Sequence, residues 1–154
     1  MPALPAMPQA LDRSLRTEAT TGIVGYRLRR AQLAVFQRFL AEFEDLDLRP
    51  AEYSVLVLID ENPGRKQSEI AEVLGIKRAN FVSLINGLED RGLTERRLTS
   101  GDRRANALHL TARGRAFLNK ARVTQDAFEA ACVKRLGGPA ERDRLLELLD
   151  RLIV

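Results

Sequence analysis

Three observations predict a mainly α-helical protein with one small β element, an α+β fold. Apolar side chains recur at steps of three and four residues over most of the 154-residue chain. The period falls to two over residues 93–98 and 105–110, with the turn-forming run TSGDR between them. Breakers separate the periodic stretches: Asn62-Pro63-Gly64, Gly75, Gly92 and Gly137-Gly138-Pro139.

Residues 1–20 contain Pro2, Pro5 and Pro8 and few large apolar side chains, a loosely held lead-in with helix expected from about Leu11. Over 22–44, Leu28, Ala31, Val35, Phe39 and Phe43 recur at helical steps. Val24, Phe36 and Leu40 widen that stripe beyond what one small core requires, as in helices that bury a face against another chain. Pro50 suits the first turn of the next helix, where its missing N–H is not needed. Tyr53, Leu56 and Val57 continue it to Asn62-Pro63-Gly64. Two short helices follow over 67–74 and 78–91, joined by Gly75-Ile76-Lys77. Their inner faces are Ile70, Ala71 and Leu74, then Phe81, Ile85 and Leu88, and Gly92 ends the second as a C′ residue. In the second strand Asn106, Leu108 and Leu110 alternate against Ala107 and His109. Thr111 is placed to N-cap a long helix reaching about Leu136. A last amphipathic helix over 140–153 carries Leu145, Leu146, Leu148, Leu149 and Leu152.

Composition excludes several function classes. Hydrophobic residues are 45% and charged residues 30%, ordinary globular stock. Lys plus Arg is 25 against 21 Asp plus Glu, a net charge of +4 whose placement matters more than its size. The longest strictly apolar run, 55–59, falls far short of the ~20 residues a membrane helix needs. The opening MPALPAMP has neither a basic start nor an unbroken apolar stretch, so no signal peptide is expected and the location is cytoplasmic. One cysteine and one histidine exclude an intramolecular disulfide framework and a clustered-histidine metal site, and no cofactor is expected. GxSxG, Walker, HExxH and CxxC motifs are absent. The acidic pairs Asp60/Glu61 and Glu89/Asp90 are sequence neighbours, which diverge by about 100° on a helix. His109 has no candidate partner for base catalysis. A non-enzyme is expected.

Two short helices, a tight glycine-containing connection and a basic hairpin describe a winged helix-turn-helix. Burial of Phe81, Ile85 and Leu88 turns Arg78, Asn80, Ser83 and Asn86/Gly87 outward. Lys77 and Arg78 stand at the helix start, where unpaired N–H groups also favour phosphate. Asn and Ser hydrogen-bond base edges without adding charge, and Arg forks onto guanine. Glu89 and Asp90 wait until the last turn. The alternative is a solvated surface helix. From Arg96 to Arg104, Arg96, Arg97, Arg103 and Arg104 face one acid, Asp102. Such a tip suits phosphates and a narrow minor groove, with Asp102 orienting Arg104. The alternative is an arginine-rich turn that keeps strand edges from aggregating.

The runs LRPAEYSVLVLIDENPG, QSEIAEVLGIKRANFVSLINGLEDRGLTERR and DRRANALHLTARG resemble the MarR family of bacterial regulators. The wing pattern is carried by Asp102, Arg104 and Leu110-Thr111. The resemblance implies an N-terminal lead-in and dimerisation helix over 1–49, a DNA-binding domain over 50–111 and dimerisation helices over 112–154. It further implies a homodimer on double-stranded, pseudo-palindromic operator DNA, with half-sites ~34–36 Å apart and Arg104 in the minor groove beside each reading helix. Most such proteins are repressors released by a small aromatic ligand. The family's effector pocket maps onto Tyr26, Arg27, Arg30, Phe36, Phe39 and Tyr53. Arginine beside aromatics suits a carboxylated aromatic or the phosphates of an acyl-CoA thioester; the alternative is core aromatics and solvated arginines. The sequence departs from the family at Lys77 and Ala79, where a capping Asp, Ser or Thr is common, and at Ser83 and Gly87. Cys132, in AFEAACVKRL, lies far from the site where redox-sensing relatives carry their thiol, so a buried apolar cysteine is expected. The rival readings are a ligand-independent architectural DNA binder and a winged-helix protein-interaction module.

Overall fold

The computed structural model describes residues 17–99 and 102–153, and side chains outside 99–106. The expected lead-in before Thr17 lies outside the described residues. The chain forms two compact units, one ending at Gln37 and one spanning Arg38–Val154.

The first unit holds α1 (Glu18–Thr21) and most of α2 (Val24–Glu42). Arg27 Nε donates to the Thr21 carbonyl at 2.8 Å and ties the short helix to the long one. Val24, Leu28, Val35 and Phe36 are exposed, as the over-wide apolar stripe predicts.

The second unit is built around one core. A 3-10 turn, Glu44–Leu46, follows α2 and was not foreseen. It ends at Asp47, whose φ of 43° is left-handed, a conformation Asp tolerates better than most residues. Helix α3 (Pro50–Glu61) starts where Pro50 predicts, and the Glu52 carboxylate accepts from the Arg49 N–H at 2.8 Å. Helix α4 (Gln67–Val73) uses Glu69 on the Lys66 N–H in the same way, also at 2.8 Å. Helix α5 (Arg78–Asp90) ends at Gly92, whose φ of 69° is the left-handed exit expected of it.

Strands β1 (Thr94–Thr99) and β2 (Asp102–Leu110) pair antiparallel, Thr94 opposite Leu110 and Leu98 opposite Asn106. The register shifts between Leu98 and Thr99, which brings Asp102 opposite Thr99 and starts β2 earlier than its alternation suggests. The other edge of β2 is also covered. Gly64 N–H donates to the Leu108 carbonyl and Leu108 N–H to the Arg65 carbonyl, both at 2.9 Å, and Lys66 bridges Ala107. Ala107, beneath this segment, is buried as well as Leu108 and Leu110, so apolar burial in β2 is not confined to one face of the alternation.

Thr111 caps α6 (Ala112–Leu136), its hydroxyl accepting from the Gly114 N–H at 2.9 Å while donating to the Gly92 carbonyl at 2.7 Å. The Leu93 carbonyl accepts from the Thr111 N–H at 3.1 Å. Helix α7 (Pro139–Ile153) buries none of its residues. Leu145, Leu146, Leu148, Leu152 and Ile153 stay exposed, and Leu149 is half-buried.

The core joins Phe39, Phe43, Leu46 and Leu48 to Val55, Leu56, Ile59, Phe81, Ile85, Leu88 and Leu108, and to Leu118, Ala121 and Phe128. It therefore draws on all three expected segments, 1–49, 50–111 and 112–154. Arg91 adds a polar tie: it donates to the Asp47 and Leu46 carbonyls at 2.8 and 2.9 Å and lies 5.2 Å from the Phe117 ring centroid. Asp60 and Arg122, 2.9 Å apart, join α3 to α6.

Gly114 admits no side chain. A Cβ there would overlap the Leu93 carbonyl oxygen and lie 2.8 Å from its carbon, both rigid backbone. Gly114→Ala is expected to cost about 2–3 kcal/mol. Thermal unfolding should show this as a fall of roughly 4–12 °C in Tm.

Candidate nucleic-acid interface

Helix α5 turns Phe81, Ile85 and Leu88 into the core and leaves Lys77, Arg78, Asn80, Ser83, Asn86 and Gly87 exposed. Lys77 occupies the N-cap with extended ψ and makes no side-chain cap, so its side chain leaves the first-turn N–H groups uncapped beside two cations. Asn80, Ser83, Leu84 and Gly87 share a concave surface of about 400 Å³ with Arg49, Ala51 and Glu52. Arg49 is exposed there and was not anticipated; a basic residue just before the helix-starting Pro50 was the available signal. The Glu52 carboxylate beside it is occupied by the Arg49 N–H. Gly87 is helical and exposed, and a Cβ added there meets nothing within 4 Å. Protein packing does not require glycine at this position.

The wing arginines divide. Arg96 departs from the expectation of a phosphate-facing cation, because its guanidinium is engaged within the protein. It forms an ion pair with Glu89 and donates through Nη2 to Asn86 Oδ1 at 2.9 Å and through Nε to Gln67 Oε1 at 3.4 Å. Glu89, expected only to lie clear of the basic helix start, is its counter-ion, so β1 is clasped to α4 and α5. Arg97 is exposed and donates through Nε to Glu95 Oε1 at 2.9 Å, an exposed pair of small energetic weight. The backbone places Asp102, Arg103 and Arg104 at the start of β2, beside the hairpin turn. Their side chains lie outside the described residues.

The six effector residues also divide. Tyr26, Arg27, Arg30 and Phe36 belong to the first unit, where Phe36 is 42% exposed and both arginines are exposed. Phe39 and Tyr53 belong to the second, in an aromatic cluster with Phe43 and Phe128, neither of which was among the expected effector residues. Phe39 stacks on Phe43 with centroids 3.9 Å apart and meets Phe128 edge-on at 5.6 Å; Tyr53 lies edge-on to Phe39 and Phe43 at 6.5 and 6.0 Å. Phe39 is buried and holds the core together, the alternative reading kept for it. Tyr53 is half-buried; burial pushes its phenol up, against a smaller opposing pull from Arg122, and keeps it neutral. A concavity of about 280 Å³ beside the cluster is lined by Leu40, Phe43, Glu44, Asp47, Leu48 and Arg49.

Cys132 packs against the core, and burial, helped by Glu129, raises its thiol pKa despite Arg38 and Arg135. Among the described residues no group of acidic, histidine or cysteine side chains could hold a metal ion, and no helix is long and apolar enough to cross a membrane.

A profile of the MarR family matches residues 46–105. The chain is 36% identical to a Thauera aromatica protein named as a transcriptional regulatory protein for the hcr operon, over 85% of this chain and 79% of that one. It is similar to the transcriptional repressor CouR bound to a 23-mer DNA duplex, with 42% identity, a TM-score of 0.85 and coverage of 91% and 99% of the two chains. It is similar also to CouR bound to p-coumaroyl-CoA, with 41% identity, a TM-score of 0.84 and coverage of 90% and 97%.

Two outcomes are expected. Gly87→Ala raises stability by about 0.5–1 kcal/mol in thermal or denaturant unfolding, because helical glycine gains a helix former without a clash. A raised thiol pKa means the reactive thiolate appears only at higher pH. Alkylation of Cys132 by iodoacetamide at pH 7.5 should therefore run slower than that of a small free thiol and accelerate above pH 9.

Proposed function

Because this chain belongs to the MarR family of transcriptional regulators, we propose that it is a homodimeric repressor, released from a pseudo-palindromic operator by a small aromatic acid or its CoA thioester. The observation that carries the DNA-binding part is the exposed face of α5, where Arg78, Asn80 and Ser83 stand clear of the core beside Lys77 and Arg49. Lys77, Arg97, Arg103 and Arg104 supply phosphate and minor-groove contacts in this reading, and Arg78, Asn80, Ser83 and Asn86 face the bases.

Exposed apolar side chains support dimerisation. Val24, Leu28, Leu33 and Val35 in the first unit, and Leu145, Leu146, Leu148 and Leu152 in the second, are uncovered in the single chain. A two-fold pair would bury them and present two reading helices to successive major grooves.

For the effector, the similarity to CouR bound to p-coumaroyl-CoA favours the thioester over the free acid. In the first unit, Arg27 and Arg30 are exposed cations suited to CoA phosphates, and Tyr26 and Phe36 offer aromatic surface suited to the acyl group; in the second unit, half-buried Tyr53 is a further candidate. Release is a population shift: the thioester stabilises a dimer whose reading helices no longer match the groove spacing. The shift is bounded by its differential affinity for the two states.

Gel-shift titration with a duplex selected from a randomised pool tests both parts. Sequence-specific binding that weakens with salt is expected, and Arg78→Ala or Arg104→Ala should weaken it at least about tenfold, some 1.4 kcal/mol. Equal binding to every duplex would instead indicate an architectural protein. Adding p-coumaroyl-CoA should release the duplex at concentrations where free CoA and p-coumarate do not. No release by the thioester or by a panel of aromatic acids would remove the effector part alone.

A further inference from the structure

The clasp around Arg96 carries an inference that deepens the operator-binding reading and rests on it. Guanidinium groups only donate hydrogen bonds. Asn86 must therefore turn its carbonyl oxygen, not its amide nitrogen, toward Arg96, and the 2.9 Å bond from Nη2 to Oδ1 fixes the carboxamide that way round. Arg96 is itself held. Glu89 neutralises it from the next turn of α5, Gln67 accepts from Nε across α4, and Arg96 lies opposite Leu108 in the hairpin. Asn86 stays exposed on the turn after Ser83, and among the described residues no acceptor takes its Nδ2 hydrogens.

We infer that Arg96 is a positioning residue that presents Asn86 to DNA as a hydrogen-bond donor. An asparagine free to use both ends of its amide pairs with adenine, accepting from N6 and donating to N7. With its oxygen held by a cation, Asn86 offers two N–H groups to an acceptor. The matching chemistry is a purine N7, guanine O6, thymine O4 or a phosphate oxygen. Arg96, counted by sequence among the phosphate contacts, thus acts on DNA through its neighbour.

The test uses the full-length protein and the duplex it selects from a randomised pool, together with every single-base-pair variant of that duplex. Affinities are measured for wild type, Asn86→Ala, Asn86→Asp and Arg96→Lys, with thermal unfolding in parallel. Asn86→Asp keeps an acceptor for Arg96 but lacks the donors. Lysine can keep the charge beside Glu89 but cannot fork onto Asn86. If the acceptor is a base, one base pair per half-site loses its preference, from about tenfold in wild type to under about twofold in all three variants, while preferences elsewhere persist. If it is a phosphate, Asn86→Ala binds every duplex about three- to tenfold more weakly at unchanged unfolding temperature, and Arg96→Lys follows it. Wild-type affinity and preferences in Asn86→Ala would overturn the contact. An impaired Asn86→Ala beside an Arg96→Lys that binds like wild type would overturn the positioning role. A wild type with no preference among duplexes would overturn the operator reading, and this inference with it.

Discussion

The Leu93 carbonyl sits where a side chain at position 114 would have to be, and the functional surface depends on that close approach. Leu93 leaves α5 through the left-handed Gly92, donates back to the Leu88 carbonyl and opens the wing. Its own carbonyl receives the Thr111 N–H, and the Thr111 hydroxyl links Gly92 to the first turn of α6. Helix end, hairpin base and long-helix start thus meet at one junction, with no room for an intervening side chain. Backbone polar groups so paired cannot move apart without losing several hydrogen bonds at once. This is why α5 and the hairpin hold a set angle.

A second constraint is electrostatic. The arginines of β1 differ in how far they are engaged: Arg96 spends its charge on Glu89, whereas Arg97 only leans on Glu95 and stays exposed. A partly buried guanidinium needs partners, and Glu89, Asn86 and Gln67 provide them. The clasp gives the wing a second attachment to the helices, about one turn of α5 before its C-terminal end. Arg49 makes up part of the cationic surface from a different element.

The aromatic cluster links structure to ligand response in the proposed mechanism. Phe39, Phe43, Tyr53 and Phe128 bring the end of α2, the start of α3 and the second half of α6 into one packed group. Helix α6 begins at the Thr111 junction and runs unbroken to Leu136. A rearrangement at the cluster therefore has a rigid element through which to reach the wing. Tightly packed rings exchange between discrete arrangements and do not deform smoothly, as a two-state regulator requires.

Local rules made the helices, their stops and the hairpin legible. Pro50, Gly92, Thr111 and Gly137 act through their own backbone chemistry, and Phe81, Ile85 and Leu88 mark an inner face by spacing alone. The outward face of α5 followed from that, and the resemblance supplied the wing pattern. Asp47 in a left-handed turn, the strand-like cover over Ala107, the need for glycine at 114 and the role of Arg91 were not legible, because each depends on a partner 21 to 45 residues away in sequence. The fate of Arg96 was hidden because its partners Glu89, Asn86 and Gln67 lie on other elements, 7, 10 and 29 residues away. Composition and periodicity determined that a cationic hairpin follows a polar-faced helix; which of its charges face outward was decided by folding. An arginine reads the same in sequence whether its counter-ion is solvent, phosphate or a glutamate on the next element, and only packing selects among them.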